Sequence, residues 1–179
     1  FPASREDEFV MKIKGISYAE IARMGGGILN SAAKLRLLSE DELFDISLPR
    51  LKEAMRLGTG AIEIKSGYGL DTTSELKMLR VARRLGIHSG IPVRTTFLGA
   101  HTVPKGFEKA DYIRLVIDEM IPAVAAENLA DYIDVFCENG FFTYDDSVEI
   151  LSAGKKFGMT PRVHANQLSN SGGIEAGIS

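Results

Sequence analysis

Three times along the chain a short apolar or β-branched run is followed by a loop and then by an amphipathic stretch, the pattern of βα units and a parallel sheet. The first run, Ala61 to Lys65, leads through Ser66-Gly67-Tyr68-Gly69-Leu70 into a stretch with Leu76, Leu79, Ala82 and Leu85 on one face and Lys77, Arg80 and Arg84 elsewhere. Thr72 with Glu75 three residues on reads as a capping box, so the spacing predicts a helix from Thr72 to about Gly86. The second unit runs from Pro92 to Leu98, through Gly99-Ala100-His101, to a helix at about Asp111 to Ala126, and Pro122 predicts a break or kink near Ile121. The third has Tyr132 to Cys137 as strand and Asp145 to Phe157 as helix, and a fourth strand, Pro161 to Ala165, has no complete helix after it. Ahead of these units two helices are predicted, Ser17 to Arg23 and Ser39 to Leu57, each opened by a capping box (Ser17 with Glu20, Ser39 with Glu42). Gly25-Gly26-Gly27 between them reads as a flexible loop, because it follows a helix and lacks dinucleotide-binding spacing. Four parallel strands in sequence fit half a barrel or a doubly wound sheet, and spacing leaves both open.

Composition narrows the class of protein without naming a reaction. The 179 residues are 45% hydrophobic and 25% charged, enough for one globular domain with a real core. Net charge is -3 with no basic run, so no nucleic-acid partner is expected. No stretch approaches the roughly 18 apolar residues of a membrane helix, and Arg5, Glu6, Asp7 and Glu8 stand where a signal peptide would be apolar. A lone cysteine, Cys137, reads as a buried core thiol and fits a reducing, cytoplasmic setting. The chain starts without Met and stops at Glu175-Ala176-Gly177-Ile178-Ser179, where a helix is just beginning, so an internal fragment is expected.

In parallel α/β folds ligands gather at the carboxyl ends of strands, where Tyr68, His101, Glu138, and His164 with Gln167 stand. His164 lies inside a short apolar strand; neutral imidazole is the commonest metal ligand, although a single such histidine is more often bonded to a neighbouring carbonyl. His101 follows Gly99-Ala100, small residues that let a ligand approach the backbone, and reads equally as a site residue or a loop histidine; Tyr68 is flanked by glycines that would hold a phenol over the sheet mouth, or is a turn tyrosine on the surface. Glu138 reads as a capping or pairing group. Arg5 could grip a carboxylate bidentately, or lie on the surface among its acidic neighbours. No GxSxG elbow, Walker A run, HExxH or paired-cysteine motif is present, which removes several hydrolase and nucleotide-binding classes.

The runs Ser4-Arg5-Glu6-Asp7-Glu8-Phe9, Gly25-Gly26-Gly27-Ile28, Glu63-Ile64-Lys65-Ser66-Gly67-Tyr68-Gly69-Leu70, Thr96-Phe97-Leu98-Gly99-Ala100-His101, and His164-Ala165-Asn166-Gln167-Leu168-Ser169-Asn170 with Gly172-Gly173 resemble the imidazolonepropionases, over essentially the whole chain. That family belongs to the amidohydrolase superfamily, so the resemblance implies an α/β fold that is part of a (β/α)8 TIM-type barrel. Residues 1–179 would form a single partial barrel domain supplying about strands two to five, with strand one, strands six to eight and the small β domain absent. It implies a catalytic Zn2+ or Fe3+ whose HxH ligands precede Phe1 and whose strand-eight aspartate, with a strand-six histidine, lies beyond Ser179, leaving His164 as the one metal ligand here. Arg5, Tyr68 and His101, with Tyr18 as a further contact, match substrate-binding positions, where an arginine fork, a phenol and an imidazole could hold a propionate. Gln167, three after the metal histidine, is implied with His164 at the catalytic centre; some relatives carry Glu there, and an amide hydrogen-bonds but does not shuttle protons.

The implied reaction is metal-dependent hydrolysis of the cyclic amide of 4-imidazolone-5-propanoate, a small molecule, to N-formimidoyl-L-glutamate in histidine catabolism. A homodimer is implied by the family alone. With one ligand present, the isolated piece is expected to be inactive. The competing readings are another cyclic amidohydrolase or deaminase of the superfamily, and a catalytically silent half-barrel module.

Overall fold

Four parallel strands lie side by side in chain order in the computed structural model, which describes residues 6–17, 20, 21, 24 and 27–179. They are β1 (Ile62–Lys65), β2 (Val93–Ala100), β3 (Tyr132–Cys137) and β4 (Thr160–Ala165). A doubly wound sheet has to reverse its strand order at a switch point, whereas this sheet steps one way throughout. Of the two arrangements the spacing allowed, the singly wound one therefore stands: a curled sheet compatible with part of a (β/α) barrel.

The described helices are α1 (Glu6–Ile13), α2 (Ile28–Leu37), α3 (Glu40–Arg56), α4 (Thr72–Ser89), α5 (Lys109–Leu115), α6 (Ile121–Ala126), α7 (Tyr144–Lys156) and α8 (Gly173–Ile178). The box at the start of α3 forms as expected, with Ser39 N–H donating to Glu42 Oε2 at 2.8 Å and Glu42 N–H to Ser39 Oγ at 3.2 Å. Ser17 and Glu20 make the same reciprocal pair. The cap of α4 is different from the expected one. Asp71, not Thr72, accepts the Ser74 N–H at 2.7 Å, and Glu75 is wholly buried elsewhere. The helix also runs past Gly86 and stops at Gly90, whose φ of 76° takes the left-handed turn. Gly86 serves packing instead, since a Cβ there would lie 2.9 Å from Val93 Cβ on β2. The kink expected near Ile121 takes the form of a π-helical turn, Val116–Met120, after which Pro122, which has no N–H to donate, sits in the first turn of α6. α1 and α2 lie where no helix was expected; α2 buries Ile28, Ala32 and Leu35, spaced four and three apart on one face.

The core forms between the sheet and the helices on one side. Phe97 on β2 and Ile133 and Val135 on β3 pack with Tyr112, Met120, Ile150 and Leu151 from the α5-to-α7 region. A second cluster joins α2, α3 and α4 through Leu35, Phe44, Leu51, Val81 and Leu85. Fully burying a side chain such as Phe97 contributes roughly 1.5–3 kcal/mol, so this face carries the stability. Residues alternating with these along the strands point the other way, and they include Thr96, Asp134, Phe136, Arg162 and His164. None of the described helices is long and apolar enough to cross a membrane.

The tight approach of α7 to β3 gives a test. A Cβ on Gly154 of α7 would fall 2.5 Å from Ile133 Cδ1 and 3.0 Å from Ile133 Cβ. Gly154→Ala should therefore lower stability by about 1–3 kcal/mol, read as a lower urea midpoint. An unchanged midpoint would mean that α7 is not held this tightly on β3.

A candidate active site at the carboxyl ends of the strands

The loop after β1 is shaped by one buried carboxylate. Glu75, on the first turn of α4, accepts the N–H groups of Gly67 at 2.8 Å, Gly69 at 2.7 Å and Leu70 at 2.9 Å. Burial pushes its carboxyl above the ordinary range, while Ser66 and these three N–H groups pull the other way. The loop's glycines are required by space. Gly67 has a φ of 104°, and a Cβ on it would lie 2.9 Å from the Leu98 carbonyl oxygen; a Cβ on Gly69 would lie 2.5 Å from Glu75 N. The carbonyl left on Gly67 accepts from His101 Nδ1 at 2.8 Å. Because a carbonyl only accepts, that nitrogen carries hydrogen. Tyr68 then meets the His101 ring edge to face, with centroids 5.1 Å apart.

Glu138, just past β3, does the same for the loop after β4. It is 1% exposed and accepts N–H groups from Gln167, from Leu168 at 3.1 Å and from Ser169 at 3.1 Å, together with the Ser169 hydroxyl. Burial opposes its charge, yet these donors hold the carboxyl below its usual range. Sequence expectation placed Glu138 as a capping or pairing group; its partners are a loop backbone rather than a basic side chain. Cys137 is buried, as expected.

Beneath both loops the inner face of the sheet is a layer of paired charges. Lys65 donates to Asp134 Oδ2 at 2.6 Å, Arg162 to Glu63 Oε2 at 2.5 Å and Thr96 to Glu63 Oε1 at 2.5 Å. His164 joins through its own N–H, 3.1 Å from Asp134 Oδ1, and through Nδ1, 3.2 Å from Asp134 Oδ2. The Asp134 side chain is fully buried and that of His164 is 31% exposed. Burial works against the charge on Asp134, but His164 and Lys65 together hold its carboxyl below the ordinary range. Phe136 stacks on the His164 ring at 4.6 Å.

A cavity of about 190 Å³ opens above this layer, and Tyr68, His101, His164 and Gln167 all line it. Four residues singled out from three separate strand ends thus face one space. Lys12 of α1 lines it too, a contributor that sequence reasoning did not single out. A wider cleft of about 600 Å³ runs along β1 past Glu63 and Lys65 and meets the smaller cavity at Tyr68, His101 and His164. Arg5 and Tyr18, the other two expected substrate contacts, lie outside the described residues, as do Gly25 and Gly26. Asp134 was missed as well, although a lone aspartate in the apolar run Tyr-Ile-Asp-Val-Phe-Cys is the kind of signal that marks a buried partner.

Among the described residues no three His, Cys, Asp or Glu side chains cluster as a metal site. His164 fits one corner of such a site, with a carboxylate behind its ring, as metal-binding histidines have.

No family model matches the chain. The chain is 51% identical to the imidazolonepropionase of Christiangramia forsetii over 180 aligned positions, covering 99% of this chain and 44% of the relative. It is likewise 51% identical to the imidazolonepropionase of Flavobacterium psychrophilum over 178 positions (98% and 43%) and to that of Shewanella sp. strain ANA-3 over 177 (98% and 43%). The chain therefore spans a little under half the length of these relatives.

Two outcomes follow from the carboxylates. Glu75→Gln replaces an acceptor of three N–H groups by an amide whose NH2 must face a donor, and should cost about 1–3 kcal/mol, seen as faster amide exchange at Gly67, Gly69 and Leu70. Exchange unchanged at those amides would remove Glu75 as the loop's anchor. Asp134 has a folded-state pKa below its unfolded value, so its contribution to stability is present at neutral pH and is lost as pH falls below about 4. The stability gap between wild type and Asp134→Asn, from urea unfolding at a series of pH values, should accordingly narrow toward acid; a constant gap would contradict the assignment.

Proposed function

Because the chain belongs to the imidazolonepropionase family over the segment it spans, we propose that the whole protein hydrolyses the cyclic amide of 4-imidazolone-5-propanoate to N-formimidoyl-L-glutamate in histidine breakdown. The observation that carries this reading is the convergence of Tyr68, His101, His164 and Gln167 on one small cavity above a layer of paired charges.

The substrate is a flat polar ring bearing a flexible propionate, and such a molecule needs a donor-rich end for its carboxylate and a second end for ring hydrolysis. Tyr68 and His101 serve the first. The phenol donates one hydrogen bond, the imidazole is oriented by its bond to Gly67, and Arg5 would add a bidentate fork. His164 and Gln167 serve the second. His164 would hold a Zn2+ or Fe3+ together with ligands from elsewhere in the whole protein, and the ion when bound would lower the pKa of a water and polarise the ring carbonyl. Gln167, its backbone held by Glu138, hydrogen-bonds the ring and leaves proton transfer to other groups. Holding the carboxylate while the ring faces the metal site turns binding into orientation.

A silent half-barrel is the second reading for the isolated chain, favoured by the lack of a three-ligand cluster among its described residues. Metal analysis of the purified chain separates the readings: stoichiometric tight zinc would contradict silence.

The test of the main reading is an assay of the full-length protein for loss of imidazolone propionate and gain of N-formimidoyl-glutamate. Tyr68→Phe and Arg5→Leu should each raise KM, by about 10- to 100-fold where a hydrogen bond to a charged group is lost, with a smaller change in kcat. An unchanged KM would end the carboxylate role. Turnover of a different cyclic amide, and none of this one, would transfer the protein to another amidohydrolase activity.

A further inference from the structure

Lys65 belongs to the Lys-Ser-Gly-Tyr-Gly-Leu run, yet the reading above gives it no task. We infer that Lys65 and Asp134 form a positioning pair that holds His164 with its ring proton on Nδ1 and the Nε2 lone pair turned to the cavity.

The contacts of Asp134 carry the argument. Oδ1 receives the His164 backbone N–H at 3.1 Å, and Oδ2 receives Lys65 Nζ at 2.6 Å and faces His164 Nδ1 at 3.2 Å. Lys65 and the backbone amide are obligate donors, so Asp134 answers them as an ionised acceptor. An ionised carboxylate has no proton to give, and the ring nitrogen facing it must therefore supply one. With Nδ1 protonated, the lone pair of the neutral imidazole resides on Nε2, across the ring, and the ring lines the small cavity.

Three further features hold the arrangement. Phe136 stacks on the ring at 4.6 Å and restricts its rotation. The Asp134 side chain has no exposure, so water cannot substitute for it. Two carboxylates, Glu63 and Asp134, face two cations, Lys65 and Arg162, so the charge on Asp134 is paired within the layer. Lys65 is thus a positioning residue acting through Asp134. Only what Nε2 meets, metal or substrate, depends on the hydrolase reading.

The ring proton can be located directly. Of the three histidines in the full chain, the His164 signals in long-range 1H–15N spectra are those lost in His164→Gln. Wild type should show a protonated Nδ1 and a lone-pair Nε2; a protonated Nε2 with bare Nδ1 would overturn the inference. In K65M/D134N both charges leave together, so none is stranded in the interior. The carbonyl of the introduced side-chain amide then keeps the β4 amide bond, and its NH2 faces Nδ1, which must become an acceptor. The ring proton should move to Nε2, and its staying on Nδ1 would show that another group sets the tautomer. If the double variant fails to fold, the wild-type spectrum decides alone. Neither substrate nor metal enters the measurement, so its failure is distinct from a failure to hydrolyse imidazolone propionate.

Discussion

A parallel strand that leaves the sheet carries backbone N–H groups without ladder partners, and a buried loop cannot leave them bare. In this chain buried carboxylates take them. Glu75 gathers the loop after β1, Glu138 gathers the loop after β4, and Asp134 receives an amide of β4 itself. Tyr68, Gln167 and His164, three of the side chains that line the cavity, hang on backbone segments that these three groups hold in place. Tyr68 lies between two of the amides bound by Glu75, Gln167 carries one bound by Glu138, and His164 is tied to Asp134 by both amide and ring.

The division of labour across the sheet follows from strand alternation. One face of β2 and β3 is committed to apolar packing against the helices, with Phe97, Ile133 and Val135 buried. The opposite face is thereby available for polar groups, and it is filled by pairs: Lys65 with Asp134, Arg162 with Glu63. Pairing answers the cost of removing charge from water. It also gives the cavity a floor with fixed dipoles, which is the setting in which a polar substrate can be oriented without reorganising its surroundings.

Much of the fold was legible in the sequence because its signals are local. The β3 strand, the Ser39 box and the break before Pro122 each depend on a few neighbouring residues, and each lies where spacing put it. What was not legible depends on distance. Glu75 sits at a capping-box spacing, yet the tertiary loop it serves outcompetes the cap, and Asp71 takes that role. Gly86 resembles a helix stop but answers to Val93 on the next strand. For the candidate site, polar residues at strand ends were enough to pick out Tyr68, His101, His164 and Gln167, which line one cavity because a parallel sheet brings those ends together. Asp134 and Lys12 escaped notice, since one is hidden inside a strand and the other arrives from a helix far away in sequence.

The anchor of each loop lies outside the loop that it anchors: Glu75 belongs to α4, Glu138 to the end of β3. Backbone shape and side-chain identity are therefore specified by different residues. Positions 68 and 167 are display positions on prefabricated backbone, so the pocket's vocabulary can be rewritten there while the syntax of the loops stays as it is. Such a separation makes this end of the sheet a natural place to change what the cavity holds, one side chain at a time.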